Sequence, residues 1–269
     1  MGAEAFWRLI VSMLSSGRLG KVSTALGLGS IIMMLCAPLP ASSETVASGQ
    51  EAVGSVDAPE TKALGAMRLT RGDPTKKEIA LTIDDGPLDS KVTGQGTKAI
   101  LAALAETGVK ATFFVTGIQV KQYPKLLQAI RAAGHSIGNH TLNHVSYPPS
   151  AQILGGRQAI RDALGDQNYA VPSFRLPQGQ GFKDDAVNQR IGRVHEFNCY
   201  WTIDTADWRG GGEQNTVNTV MKSSQLNGAI VLMHDTDKAR GTANAIRRIV
   251  PALKAKGYKF VTIEQLSKK

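Results

Sequence analysis

Cysteine is nearly absent from this 269-residue chain, which has only Cys36 and Cys199. Cys36 falls in a segment read below as an export signal, so Cys199 lacks a partner and no disulfide framework is expected. Its setting, Phe197-Asn-Cys-Tyr-Trp201, is that of a buried small hydrophobe on a strand. Runs of one charge sign are also missing. The formal net charge is +9, yet no five basic residues are consecutive and none alternate with aromatics. A nucleic-acid partner is therefore not expected, and the excess reads as solvated surface or as attraction towards an anionic envelope matrix. No internal repeat is evident. The longest apolar or small-residue stretch, Val22 to Ala37, holds sixteen residues, short of the roughly twenty that span a bilayer comfortably.

The remaining composition, 42% hydrophobic and 20% charged, is that of an ordinary globular protein with one core. Arg18 and Lys21 precede the apolar stretch, and small residues Ala41-Ser42-Ser43 follow it. A charged start, an apolar middle and small residues afterwards make up an export signal; an uncleaved membrane anchor is the alternative. Bulky Leu35 argues against a lipoprotein cysteine at Cys36. Residues 1–43 are assigned to this signal or anchor, 44–76 to a flexible linker rich in Ala, Ser, Gly, Glu and Pro, and 77–269 to a single domain. The expected location is outside the cytoplasm: periplasm, cell envelope or medium. A monomer is expected.

Within the domain, strand and helix patterns alternate. Strands are predicted at 79–83, 111–115, 136–140, 173–176, 196–203, 228–233 and 259–263. Helices are predicted at 98–106, 124–133, 150–164, 184–191, 216–225 and 244–256. Such alternation predicts a parallel barrel or a doubly wound sheet.

Polar clusters fall where predicted strands end. Asp84-Asp85-Gly86-Pro87 follows the first strand, and His140-Thr-Leu-Asn-His144 follows the third. Arg175-Leu-Pro-Gln-Gly179, Asp204-Thr-Ala-Asp207-Trp208 and Leu232-Met-His234 end later strands. Two histidines at i, i+4 share one face of a helical turn and, with a carboxylate, can hold one ion. Adjacent side chains at a strand end point in different directions, so one of Asp84 and Asp85 can ligate while the other stays free for proton transfer. In parallel barrels the C-terminal strand ends form the active face, so these residues are expected to converge. His135 and His195, at strand starts, are expected at the opposite end.

These five clusters, in this order, resemble the motifs of the polysaccharide deacetylases with NodB homology, carbohydrate esterase family 4. The resemblance covers roughly Lys77 to Leu266. It implies a distorted (β/α)7–8 barrel with irregular closure and removal of acetyl groups from acetylated glycans. It assigns Asp85, His140 and His144 to a divalent metal, Asp84 to the general base, His234 to the general acid, and an oxyanion-binding backbone N–H to Gln178. Zinc suits the ligand set, with cobalt and nickel admissible. Arg175 is expected to hold Asp84 ionised, and Asp207, with Asp204 second, to partner His234. Trp208 is expected as an apolar wall or a sugar face, or else as core packing; Pro177 and Leu232 join Gln178 and Trp208 as substrate-contact positions. Two positions depart from the family pattern. Ile83 replaces a common phenylalanine, and Gln178 replaces an aromatic residue, which puts substrate preference in doubt. An acetylated glycan such as peptidoglycan or chitin is the expected partner. An O-acetyl esterase, a small-molecule amidase and an inactive glycan-binding homologue are the other readings.

Overall fold

The computed structural model describes residues 65–92 and 94–268. The readings for residues 1–64, covering the export signal or anchor, Cys36 and most of the linker, lie outside these described residues. Among the described residues no helix is long and apolar enough to cross a membrane.

Among the described residues nine strands form one sheet: β1 (Met67–Leu69), β2 (Glu78–Asp84), β3 (Thr112–Val115), β4 (Ser136–Asn139), β5 (Ser173–Phe174), β6 (Phe197–Cys199), β7 (Ile203–Asp204), β8 (Ala229–His234) and β9 (Lys259–Phe260). Their order is β1-β6-β5-β4-β3-β2-β8-β7, with β9 also paired to β2, and all eight pairings are parallel. The helices are α1 (Gly96–Thr107), α2 (Gly117–Gln122), α3 (Pro124–Ala132), α4 (Ser150–Leu164), α5 (Asp185–Gly192), α6 (Gly212–Met221), α7 (Thr242–Ala255) and α8 (Ile263–Leu266).

The central strand shows why the fold closes around its motifs. Ile79-Ala-Leu-Thr-Ile83 of β2 is buried throughout, as a parallel strand covered on both faces requires. Ile79, Leu81 and Ile83 pack with Ile100 and Leu104 of α1 and Ile246, Ile249 and Leu253 of α7. Ala80 instead joins Phe114, Cys199 and Ile230 inside the curl of the sheet. Strand alternation then turns Thr82 and Asp84 to that same inner side. Cys199 is buried and unpaired, with its thiol pushed up to about 12 by burial, which makes it an inert small hydrophobe.

The curl itself follows from one short link. The strand expected at 196–203 is two strands, β6 and β7, which lie near opposite ends of the sheet order. Only Tyr200, Trp201 and Thr202 connect them, a reach of roughly 14 Å at most. The two ends of the sheet must therefore come round almost to meet. Within the described residues no ladder joins β1 to β7, so the result is a curled parallel half-barrel rather than a closed barrel.

The domain also starts earlier than its pattern suggested. Met67–Leu69 lies inside the stretch assigned to the linker, yet it pairs with Phe197–Cys199. Three residues are too few to show a period, and their partner strand is distant in sequence.

Candidate active site

Six non-glycine residues among those described adopt positive φ: Asp85, Thr141, His144, Tyr147, Gln178 and Ala206. Every one sits in a motif or within three residues of one, in the loops that leave β2, β4, β5 and β7. Left-handed backbone is disfavoured for residues with a Cβ, and such strain gathers at functional sites. The sheet thus supplies straight strands, and the chemistry begins where each of them turns.

Asp84 ends β2 and is the register partner of His234 at the end of β8. Its carboxylate is buried and receives a bond from Arg175 Nη1 at 2.8 Å. Arg175 is fully buried; it also donates to Thr82 Oγ1 at 2.7 Å and to the Tyr200 carbonyl at 2.9 Å. Its guanidinium lies 4.2 Å from the Phe114 ring centroid. A buried cation with this many partners fixes the neighbouring carboxylate in place.

Asp85 turns away at φ 75 and faces the histidine loop. Its Oδ1 lies 3.2 Å from His144 Nε2 and 3.5 Å from His140 Nε2. His140 Nε2 also lies 3.8 Å from Asp84 Oδ2. The ligand atoms of Asp85, His140 and His144 are all within 4.8 Å of one another. His140 and His144 are not on a helical turn, contrary to expectation. Residues 140–149 form an irregular loop, with Leu142 wedged against Gly117 and Gly155 so closely that a Cβ at Gly117 would sit 2.7 Å from it. The imidazoles meet because Thr141 and His144 take positive φ, not because of helical spacing.

The donor set fits a divalent cation. His140 Nδ1 lies 2.8 Å from the Arg175 carbonyl, so that nitrogen carries a proton and Nε2 is the one left facing the cluster. Asp85 Oδ1 is buried without a hydrogen-bond partner. Lone pairs facing a carboxylate oxygen call for a positive charge between them. Ligands about 2.0 Å from a tetrahedral ion lie roughly 3.3 Å apart, close to the 3.2 and 3.5 Å observed here. Protons compete for the same place. Asp85 draws the His144 pKa above its ordinary 6.5. Burial works to raise the Asp85 pKa, but the two imidazoles outweigh it and hold the group below the usual carboxylate range.

His234 Nδ1 lies 2.8 Å from Asp207 Oδ1. Asp207 is buried, and its Oδ2 also accepts from His234 N at 2.9 Å and Thr242 Oγ1 at 2.8 Å. Burial works to lower the His234 pKa, but the Asp207 bond and the Asp207, Asp84 and Asp85 charges raise it to about 9. Asp204 does not reach the histidine; it is exposed and accepts from Ala206 N at 2.8 Å.

A cavity of about 800 Å³ opens over these groups, lined by Asp84, Asp85, His140, His144, Gln178, Trp208, Leu232 and His234 among others. Trp208 is 41% exposed, so it forms a wall rather than core. Pro177 is buried and does not line the cavity; its side chain shapes the turn that gives Gln178 a φ of 58. His195 is buried ahead of β6 and lines a separate hollow with Val171 and Pro172 ahead of β5, its Nε2 3.0 Å from Asn139 Nδ2. His135 is buried ahead of β4, accepting from Ala111 N at 3.2 Å.

Sequence reasoning passed over several residues here. Trp201, Thr236, Asp237 and Lys238 also line the cavity. Asp235 is buried behind it and accepts from Thr97 Oγ1 at 2.5 Å and Leu88 N at 3.3 Å, which ties the loop after Asp85 to the end of β8. Burial pushes its pKa up to about 7. Its place directly after His234 was the available signal.

Comparison with known proteins agrees with this arrangement. The polysaccharide deacetylase family model matches residues 71–193. A peptidoglycan-N-acetylglucosamine deacetylase of Bacillus cereus is 34% identical over 200 residues, covering 71% of this chain and 88% of the relative. A chitooligosaccharide deacetylase of Rhizobium leguminosarum bv. trifolii is 32% identical over 215 residues, covering 70% and 91%. The crystal structure of the Bc1960 peptidoglycan N-acetylglucosamine deacetylase superposes with a TM-score of 0.65 at 30% identity, covering 74% of this chain and 92% of that one. A curled parallel half-barrel, its motifs gathered at one end, and relatives of this identity and coverage lead to one conclusion: the chain belongs to the polysaccharide deacetylase family with NodB homology.

Proposed function

We propose that this protein is an exported, metal-dependent hydrolase that removes N-acetyl groups from N-acetylglucosamine-containing glycan, releasing acetate and a free amine. The observation that carries the reading is the pairing of Asp84 with His234 across adjacent strands, with the Asp85–His140–His144 set beside them. One carboxylate is paired with a buried arginine, and one imidazole is held protonated by a buried aspartate. That is the division of labour a general base and a general acid need.

Asp85, His140 and His144 would hold the divalent ion, zinc by ligand preference with cobalt or nickel admissible; when bound, it supplies Lewis-acid polarisation of the acetyl carbonyl and a more acidic water. Asp84 accepts the proton of the attacking water. Arg175 keeps that carboxylate aimed. The backbone N–H of Gln178 is the protein's own donor to the developing oxyanion, an interaction whose loss typically costs about 3 kcal/mol. His234 gives its proton to the leaving nitrogen, and Asp207 fixes the ring so that Nε2 faces the substrate. Trp208 and Leu232 wall the space for the acetyl methyl and the sugar ring. The products balance as one water consumed, one acetate and one amine formed.

The relatives' substrates leave peptidoglycan and chitin-type oligomers as the two glycan classes. The net charge of +9 and the Arg18–Ser43 export pattern favour an anionic envelope polymer. The test is acetate release from peptidoglycan, N-acetylglucosamine oligomers and acetylxylan, with and without a chelator. Release from the first two that stops on chelation and returns with zinc is expected. Activity that survives complete metal removal overturns the mechanism, and activity on acetylxylan alone overturns the amide substrate.

A further inference from the structure

His195 is a buried titratable group that the reaction does not use. Its Nδ1 lies 2.6 Å from the Val171 carbonyl. A carbonyl only accepts, so Nδ1 carries a proton. Its Nε2 lies 3.0 Å from Asn139 Nδ2. Asn139 is the last residue of β4 and directly precedes the ligand His140.

Two other partners fix the orientation of the Asn139 amide. Oδ1 accepts from Thr141 N at 3.0 Å, and Nδ2 donates to the Ile153 carbonyl of α4 at 2.8 Å. A flipped amide would set N–H against N–H at Thr141 and oxygen against oxygen at Ile153. The second N–H of Nδ2 is therefore the one that points at His195, and Nε2 must meet it with a lone pair. Burial pushes the His195 pKa down to about 4, against the pull of the Val171 bond, in keeping with a neutral ring. All of this lies in the interior: Asn139 has no exposed surface, and α4 can seat the amide because residue 156 is glycine, where a Cβ would overlap Asn139 Oδ1.

What the amide holds is the turn between the metal ligands. Thr141 has φ 69, a conformation disfavoured for a β-branched residue. Its N–H is bonded to Asn139, its carbonyl accepts from Gly117 N at 2.9 Å, and its Oγ1 accepts from Val145 N at 3.2 Å. Such a backbone persists only while its surroundings hold it.

We propose that His195 is a positioning residue for the metal site: through the Asn139 amide it keeps Thr141 in the left-handed turn that brings His140 and His144 onto one ion. This rests on the deacetylase reading above, whose ligands it concerns. Without an acceptor at position 195 an Asn139 N–H is stranded in the interior. The amide then turns to satisfy it and gives up the Thr141 bond, and the ligands lose an outer partner that orients them.

The experiment compares wild type, His195→Phe and His195→Gln by zinc affinity, measured in competition with a chelating dye, and by amide hydrogen exchange of the metal-free proteins. Phenylalanine keeps a ring beside Phe174, whose centroid lies 5.3 Å from that of His195, but offers no lone pair. Glutamine offers Oε1 near the place of Nε2. His195→Phe should bind zinc about tenfold more weakly, with the Thr141 N–H exchanging faster while β2 and β8 keep their protection. His195→Gln should return both to near wild-type values. Unchanged zinc affinity in His195→Phe overturns the proposal, and so does a loss that His195→Gln shares in full, which would report packing alone. A protonated Nε2 on His195 in nitrogen-15 spectra of the wild type at neutral pH overturns it as well. Should His195→Phe not fold, His195→Leu is read by the same criteria. A wild type that binds no zinc overturns the metal-dependent reading itself, and this inference with it.

Discussion

Replacing Asp207 by asparagine isolates the acid from everything else in the site. The substitution preserves size in a fully buried position but removes the charge 2.8 Å from His234 Nδ1. His234 stands at about 9 against an ordinary 6.5, which at 1.36 kcal/mol per pH unit is on the order of 3 kcal/mol in favour of the protonated ring. Burial alone would lower it, and Asp207 is the largest opposing influence. Without that carboxylate the imidazole should lose its proton about two pH units earlier or more. The alkaline limb of kcat should move down by that amount, and the His234 resonances in a nitrogen-15 NMR titration should move with it. A cation beside Asp85 cancels part of that carboxylate's pull and lowers both limbs, so the separation between wild type and variant is the quantity to read. Stability follows the same sign. A raised folded pKa contributes stability that is complete below about 6.5 and lost as pH rises through about 9. The variant's stability deficit should therefore shrink across that window. An alkaline limb that stays in place in Asp207→Asn refutes the assignment of His234 as an acid tuned by Asp207.

Two further outcomes follow from the base side of the site. Arg175→Ala strands a buried carboxylate at Asp84, and should destabilise the fold by about 3–5 kcal/mol, on the order of 10 °C in Tm for a domain of this size; a shift of a degree or two in calorimetry would contradict the buried-pair argument. Asp84→Asn should lower kcat by about 10²–10⁴ while circular dichroism and metal content stay at wild-type levels, and full activity would remove Asp84 from its role.

How far the sequence foretold this structure depends on where local pattern coincides with burial. Ile79–Ile83 and Ile230–Met233 are continuous apolar runs because β2 and β8 are covered on both faces, so their positions, and the motifs ending them, were readable. Met67–Leu69 was not, because three residues carry no period. The run 196–203 looked like one strand, since nothing local marks the point where Tyr200–Thr202 cross from one end of the sheet to the other. Likewise the i, i+4 spacing of His140 and His144 suggested a helical turn, whereas glycine-lined packing of Leu142 and two positive-φ residues bring the rings together. Asp235 escaped notice for a related reason: its setting is made by Thr97, which is distant in the chain.

The most direct test of the whole account is the metal-edge X-ray absorption spectrum of the zinc-loaded protein. One ion per chain is expected, with two imidazole nitrogens and one carboxylate oxygen at about 2.0–2.2 Å, and loss of that signature in His140→Ala. A spectrum with no histidine scattering, or one unchanged by that substitution, would contradict it.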